Sequence, residues 1–429
     1  MIRKVYKFGG ASVRSAEAVR NLASIVSSRM DDDILLVVSA MGKTTNMLER
    51  ALADFRASDG ELGRGALAPI VDYHGQIVDA LFGGDRTHPV YGYVSAWFDD
   101  LYDALRLTQL DYDCQYDRTV SYGELISTTI VREYLKYIGL RTRWIDSRKY
   151  VVTDCTFRAA NVDWDETRLR ISRLNEEHRH GTVCVAQGFI GGTADGSRVT
   201  TLGREGSDYT AAIFANSLDA EDVTIWKDVE GLLSADPKRF DNPVKIPHIT
   251  YSEAIELSFY GATIIHPKTL KPLQNKGIAL KVQSFVHPES EPSVIDGSSD
   301  RMAQVTSYIV KDDQTLASFS PRDYSFMNEH NLQMLFSTFD RLHIHANMVQ
   351  TSALMLSVCF DHDEAKLKAL VSSLSKQFSI KYNRGLQLFT VRHYSDPDQV
   401  ADAFLTGKRI IVKQSSRSTL QYVLKKISD

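Results

Sequence analysis

The chain has 429 residues, room for two to four domains at ~100–200 residues each. Its 50 Lys and Arg against 54 Asp and Glu leave a net charge of -4, which excludes the basic footprint of a dedicated nucleic-acid binder. Hydrophobic residues at 43% and charged residues at 24% describe an ordinary globular chain.

The four cysteines (Cys114, Cys155, Cys184, Cys359) form no C-x-x-C pair, which fits a reducing cytoplasm better than a disulfide scaffold. The opening MIRKVYKFGG has no apolar h-region, so no signal peptide is expected. The longest strongly apolar run, residues 34–38, is far below the ~20 residues of a membrane span.

In chain order, residues 5–8 read as a strand ended by Gly9 and Gly10. Ser15 is placed to cap a helix with apolar positions Ala16, Val19, Leu22, Ala23 and Val26. Residues 34–38 then read as a buried, parallel strand, which completes a βαβ unit. From about Thr44 to Leu140 the pattern is mainly helical. Strands are expected at 141–145, 182–189, 223–226 and 278–282, with helices around 168–179, 209–218 and 251–259.

Residues 287–299 are rich in Pro, Ser, Gly and acid and read as a linker or surface loop, so a domain boundary is placed near residue 300. The remainder approaches βαββαβ: strand 315–319, helix 325–342, strand 348–360, helix 363–377, and strands 379–382 and 386–391. A tight Asn383-Arg384-Gly385 turn is expected between the last two. Leu420, Val423, Leu424 and Ile427 read as a final helix.

Five segments carry polar chemistry. Lys7-Phe8-Gly9-Gly10-Ala11-Ser12 lies between a strand and a helix, where backbone N–H groups and a lysine can meet an anion; the plain alternative is a tight turn. Residues 200–210 place Gly203, Arg204, Glu205, Gly206, Ser207 and Asp208 before a helix. Arg204 suits a carboxylate or phosphate, whereas Ser207 or Asp208 could also act only as a cap. Lys227-Asp228 ends a strand and Asp236-Pro237-Lys238 follows, either as phosphate contacts or as an Asx turn with solvated lysines. Ser39, Thr45 and Asn46 follow the second strand and offer small polar contacts. Ser121-Tyr122-Gly123-Glu124 is expected to open a helix, with Glu124 either a first-turn acid or a partner for an ammonium. No H-E-x-x-H or G-x-S-x-G is present and the twelve histidines are scattered, so no metal held by protein alone is expected.

Taken together, KFGGAS, VVSAMGKTTN, YGELIST, QGFIGG, TTLGREGSDYTAA, WKDVEGLLSADPK and GATIIHP resemble, in this order, the blocks of the aspartate kinase family. The resemblance implies an α/β fold: an amino-acid kinase-like open, mostly parallel sheet sandwiched by helices, then C-terminal α+β, ferredoxin-like ACT regulatory domains. The catalytic region would be 1–300 and the regulatory region 301–429, with a first ACT unit at about 313–384 and a shortened second unit from about 305–312 and 385–429. The implied reaction is transfer of the ATP γ-phosphoryl group, with Mg²⁺, to the side-chain carboxylate of L-aspartate, the first step toward lysine, threonine and methionine.

By the same resemblance Lys7 and Asp208 are catalytic, and Ser39, Thr45, Glu124, Arg204 and Ser207 hold aspartate. The nucleotide falls to Lys7, Gly9, Gly10, Lys227, Asp228, Leu233, Lys238, Thr263 and Ile264. Asn331, Leu332, Asn347, Thr351 and Ser352 match an effector pocket for lysine or threonine, and a homodimer through the ACT domains is implied, with no nucleic acid and no membrane as partner. The chain departs from the family pattern at Ala11, Glu205, Lys227, Leu233, Thr263 and Ala353. Two other readings stay open: another amino-acid kinase, and a silent sensor with the same fold. The chemistry suits the residues, because a carboxylate with a reference pKa near ~4 is already ionised at neutral pH and needs no general base.

Overall fold

A computed structural model describes residues 1–262, 265–299, 305–394 and 402–427. The chain forms two compact units. The first is Met1–Leu232, Pro247–Tyr251 and Ile265–Met302; the second is Leu233–Ile246, Ser252–Ile264 and Ala303–Asp429. Two segments that precede residue 300 therefore fold with the C-terminal region.

The first unit is built on eight strands: β1 (Lys4–Phe8), β2 (Ile34–Val38), β3 (Arg141–Ile145), β4 (Thr182–Gln187), β5 (Asp222–Lys227), β6 (His248–Thr250), β7 (Ala279–Ser284) and β8 (Ser293–Asp296). Their order is β6-β8-β7-β5-β1-β2-β4-β3, parallel throughout except where β7 meets β8. Both faces of β2 are covered, which is why its sequence runs apolar without alternation. Phe8 stacks on Trp226 of the neighbouring strand at 5.8 Å, and each such fully buried ring contributes about 1.5–3 kcal/mol relative to exposure.

The longer helices before β5 are α1 (Ala16–Ser27), α2 (Thr44–Ala57), α3 (Ala68–Phe82), α4 (Pro89–Leu105), α5 (Tyr112–Tyr137), α6 (Trp164–Glu176) and α7 (Gly206–Leu218). Ser15 caps α1 as expected, its Oγ accepting from Ala18 N at 3.3 Å. The helix expected to open at Ser121 does not do so. Those residues lie in the middle of α5, which starts at Tyr112 under an Asp111 cap. α8 (Tyr251–Phe259) belongs largely to the second unit and α9 (Pro267–Gln274) to the first.

The second unit carries an antiparallel sheet ordered β10-β11-β9-β12-β14-β13, made of β9 (Ser307–Pro321), β10 (Ala346–Thr351), β11 (Leu356–Asp361), β12 (Phe378–Arg392), β13 (Lys408–Ser415) and β14 (Thr419–Lys426). α10 (Glu329–Arg341) and α11 (Glu364–Leu374) cover one end through Phe319, Leu335, Phe339, Phe360 and Leu370. Three expectations are corrected here. Residues 383–385 are not a hairpin turn: β12 runs through them, and the register to β9 slips by one residue there, a bulge with Gly385 at φ +64°. The expected strand 348–360 is a hairpin of β10 and β11. The final apolar pattern is β14, not a helix. Leu420, Tyr422 and Leu424 enter one cluster and Val423 another, so both faces are buried and the period-2 signal is lost.

Candidate functional site

Lys7 is the penultimate residue of β1 at the centre of the first sheet, flanked by Val37 of β2 and Ile225 of β5. The carboxyl ends of adjacent parallel strands are where an open α/β sheet leaves a crevice. A cavity of about 510 Å³ opens there, lined among others by Lys7, Gly10, Ser39, Thr45, Glu124, Arg204, Ser207 and Asp208. The residues matched to catalysis and aspartate binding, drawn from four separate segments, thus meet in one place.

Gly10 is demanded by the approach of the chain after β2. A Cβ there would stand 2.9 Å from the Ala40 and Gly42 carbonyl oxygens, while Gly42 N donates to Gly10 O at 3.0 Å. Ser39 N donates to Phe8 O at 3.1 Å, fixing that loop on the end of β1.

Asp208 sits in the first turn of α7, close to the positive end of the helix, and Lys7 Nζ lies 2.5 Å from its Oδ1. Ser207 and Asp208 do not cap the helix. That position falls to Glu205, whose backbone is left-handed at φ +54° and whose side chain makes no cap bond. Glu205 Oε2 instead accepts from His266 N at 3.0 Å. The left-handed geometry explains why a glycine suits this position.

Lys227 ends β5 beside Lys7. Partial burial holds its pKa below the ordinary lysine value; the charge of Asp208 works against that shift and Lys7 adds to it.

Glu124 projects from the middle of α5 and is 3% exposed. Ala40 N donates to its Oε1 at 3.2 Å, and its Oε2 has no hydrogen-bond partner among the described residues. Burial pushes its pKa up to about 8, against the opposing bond from Ala40 N. A carboxyl so placed is short of a cation. Arg204 is exposed on the cavity wall and has no ion-pair partner among the described residues.

The cavity also takes Tyr116, Arg158 and Phe189, for which the sequence gives no site signal, and Thr201 from the segment 200–210. Behind them Asp117 is fully buried. One signal was available, since Asp117 precedes Glu124 by seven residues and so shares its face of the helix.

The nucleotide-matched residues are spread over both units. Lys227 and Asp228 end β5 in the first. Leu233 and Lys238 belong to the second, where Lys238 N donates to Asp236 Oδ1 at 2.9 Å in an Asx turn. Thr263 and Ile264 lie outside the described residues.

The effector-matched residues divide. Met327 N donates to Ala353 O at 2.8 Å, which joins the loop before α10 to the β10–β11 hairpin and gathers Asn331, Leu332, Thr351 and Ser352 at one end of the sheet. Asn347 lies four residues back along β10, roughly 13 Å away at the rise of a strand. It is buried there and bonded to Lys311 Nζ, Gln314 and Asp361.

No helix among the described residues is long and apolar enough to cross a membrane. The family model described as the amino acid kinase family matches residues 3–284. The chain is 31% identical over 369 residues to the chloroplastic aspartokinase 3 of Arabidopsis thaliana, covering 83% of this chain and 64% of that protein. It therefore spans less than two thirds of that relative. Among solved structures, E. coli aspartokinase III in complex with aspartate and ADP matches with TM-score 0.80 and 26% identity, over 98% of this chain and 96% of that one. The same enzyme with lysine and aspartate matches with TM-score 0.78 and 26% identity, over 99% and 96%. With a parallel sheet carrying the cavity at its carboxyl edge and a family match over most of that unit, the chain belongs to the amino acid kinase family.

Proposed function

We propose that the chain is an aspartate kinase, which transfers the γ-phosphoryl group of ATP to the side-chain carboxylate of L-aspartate to give 4-phospho-L-aspartate and ADP. The observation that carries this reading is the pairing, within one cavity, of the Lys7–Asp208 contact with a carboxyl at Glu124 and a guanidinium at Arg204 that have no ionic partner among the described residues. An α-amino dicarboxylic acid supplies a complement to each. Its ammonium suits Glu124, its α-carboxylate suits Arg204, and its side-chain carboxylate is left facing Lys7. Ser39, Thr45 and Ser207 add hydroxyls around it. The relatives, aspartokinases by name, support the same substrate.

The difficulty of the reaction is bringing one anion against a polyanion. Lys7 would offset charge on the transferring phosphoryl, and Asp208 would hold that ammonium at the end of β1. Lys227 and the first N–H groups of α7 add positive potential, so positioning and electrostatics supply the acceleration. Gly9 and Gly10 leave backbone N–H groups open to phosphate oxygens. Mg²⁺ would be held chiefly by the phosphates and would neutralise charge there; among the described residues no group of three or more His, Cys, Asp or Glu is arranged to hold a metal.

Regulation is assigned to the second unit. Tyr324 and Phe326 are 87% and 71% exposed in the loop before α10, at the end of the sheet where Asn331, Thr351 and Ser352 gather, which supports a second copy covering this end and lysine or threonine binding within it. Four free thiols support a reducing, cytoplasmic setting.

Trapping the acyl phosphate with hydroxylamine tests the reading. Mg-ATP with L-aspartate should give aspartyl hydroxamate that Lys7→Ala abolishes. Product from L-glutamate or N-acetylglutamate and none from aspartate would assign another acceptor. Binding without turnover on any acid would assign a sensor.

A further inference from the structure

The outer wall of the cavity is organised by one carboxylate. Asp117 accepts from Arg158 N with both oxygens (3.1 and 3.0 Å), from Thr201 N (2.7 Å) and from Thr201 Oγ1 (2.7 Å). It therefore ties together two loops that are distant in sequence, and Ala160 N donating to Thr201 O at 2.9 Å closes the same junction. Thr201 is three residues before Arg204, so the segment that presents Arg204 starts from this anchor.

Arg158 is the second product of the anchor. Its backbone is left-handed, φ +66°, a state that a non-glycine residue keeps only when its surroundings over-determine it. The two bonds from its N–H to Asp117 supply that constraint. Its guanidinium lies over the Tyr116 ring at 4.4 Å, and the ring is held in turn by Tyr116 O–H donating to Glu49 Oε1 at 2.6 Å. Its ionic partner is Asp113, at 3.3 Å, and both side chains are half exposed. Such a solvated pair holds its members weakly. A cation is thus carried by a strained backbone, aimed by an aromatic face, and left on the cavity wall with only a weak competitor.

We propose that Arg158 is a second guanidinium of the acceptor site, binding the acceptor's α-carboxylate together with Arg204, and that Asp117 is the positioning residue for both arginines. The inference rests on the acceptor reading above. Two guanidiniums on one carboxylate, with Glu124 reserved for the ammonium, favour an amino acid over a simple dicarboxylate or an N-acylated one.

The test is calorimetric titration of L-aspartate into the full chain without nucleotide, with Mg-ATP titrated separately. Arg158→Met keeps the stem on Tyr116 and removes the charge. It should weaken aspartate by on the order of tenfold or more and leave Mg-ATP within about twofold; Arg158→Lys should recover part of the loss. Asp117→Asn keeps the shape but presents an amide to two donors. It should raise KM for aspartate more than it lowers kcat, and the double variant should be no worse than the more damaging single one. Wild-type binding retained in Arg158→Met overturns the inference alone, and Arg158→Met decides the matter even where Asp117→Asn fails to fold. A wild-type chain that binds no aspartate overturns the acceptor reading and this inference with it. Equal weakening of aspartate and Mg-ATP in Arg158→Met would assign the residue a structural role and also overturn it.

Discussion

Lys7 Nζ and Asp208 Oδ1 meet at 2.5 Å, which joins the end of the central strand β1 to the first turn of α7. Both side chains are nearly buried, so neither charge is satisfied by bulk water and each fixes the other.

Removing one partner should therefore do more than delete a group. Lys7→Ala leaves the Asp208 carboxylate in a cavity meant for anions, so phosphoryl transfer should fall by at least about 10³-fold, a loss comparable to removing a strong electrostatic stabiliser. Asp208→Asn keeps the shape and frees the ammonium. It should lower kcat by a smaller factor, on the order of 10²-fold, because Lys7 remains but is held less firmly. Single-turnover rates with hydroxylamine trapping separate the two, and equal effects would remove the distinction drawn here between charge and placement.

Glu124 gives the reaction a proton signature. Its folded pKa of about 8 lies above the unfolded carboxyl value near ~4.5, so the free protein binds more protons than the unfolded chain between these limits. Stability should fall as pH rises through this window, at up to about 1.4 kcal/mol per pH unit from this group, and level off above pH ~8. Glu124→Gln should flatten the slope. Binding of the aspartate ammonium needs the ionised form, so wild-type affinity should rise with pH up to about 8 with release of a proton. Titration in buffers of different ionisation enthalpy measures that proton, and it should be absent in Glu124→Gln.

Glu205 tests the departure from glycine at the start of α7. A left-handed backbone costs a residue with a Cβ about 1 kcal/mol, which Glu205 partly offsets through its bond to His266 N. Glu205→Ala keeps the strain and loses the bond, so it should be less stable than Glu205→Gly by about 1 kcal/mol or more, read from urea unfolding. Glu205→Gly should also lower KM for the anionic substrates, since Glu205 lines the cavity and its charge opposes them.

The sequence was readable where burial and periodicity agreed. β1, β2 and β3 and the Ser15 cap of α1 appear as expected; β2 is the clearest, because a doubly covered parallel strand is a short unbroken apolar run between turn signals. β14 hides its strand pattern for a related reason: with both faces buried in an antiparallel sheet, Leu420, Val423 and Leu424 imitate a helical interval. In α5 the polar start of the helix hides its true extent, so Glu124 resembles a first-turn acid in the sequence although it is a mid-helix carboxyl lining the cavity. Asp117 and Arg158 carried no motif. Their roles arise from hydrogen bonds across 41 and 84 residues of sequence, which local pattern cannot register.

A buried ion pair anchors the segment of the second unit that comes from before residue 300. Arg392, at the end of β12, donates to Glu253 of α8 through Nη2 (2.6 Å) and Nε (3.2 Å), and to Thr419 Oγ1 through Nη1 (2.6 Å). His393 Nε2 stands 3.0 Å from Oε1 of the same carboxylate. Breaking a buried pair from one side costs about 3–5 kcal/mol because the remaining charge is left uncompensated. Arg392→Met should therefore lower the urea midpoint of the second unit strongly. Arg392→Met combined with Glu253→Gln removes both charges and should recover a substantial part of the loss, so the two substitutions are non-additive. A double variant that shows the plain sum of the single effects would mean that the pair acts through packing rather than charge. Local hydrogen exchange over residues 252–260 should follow the same order, with protection lowest in the single Arg392→Met variant.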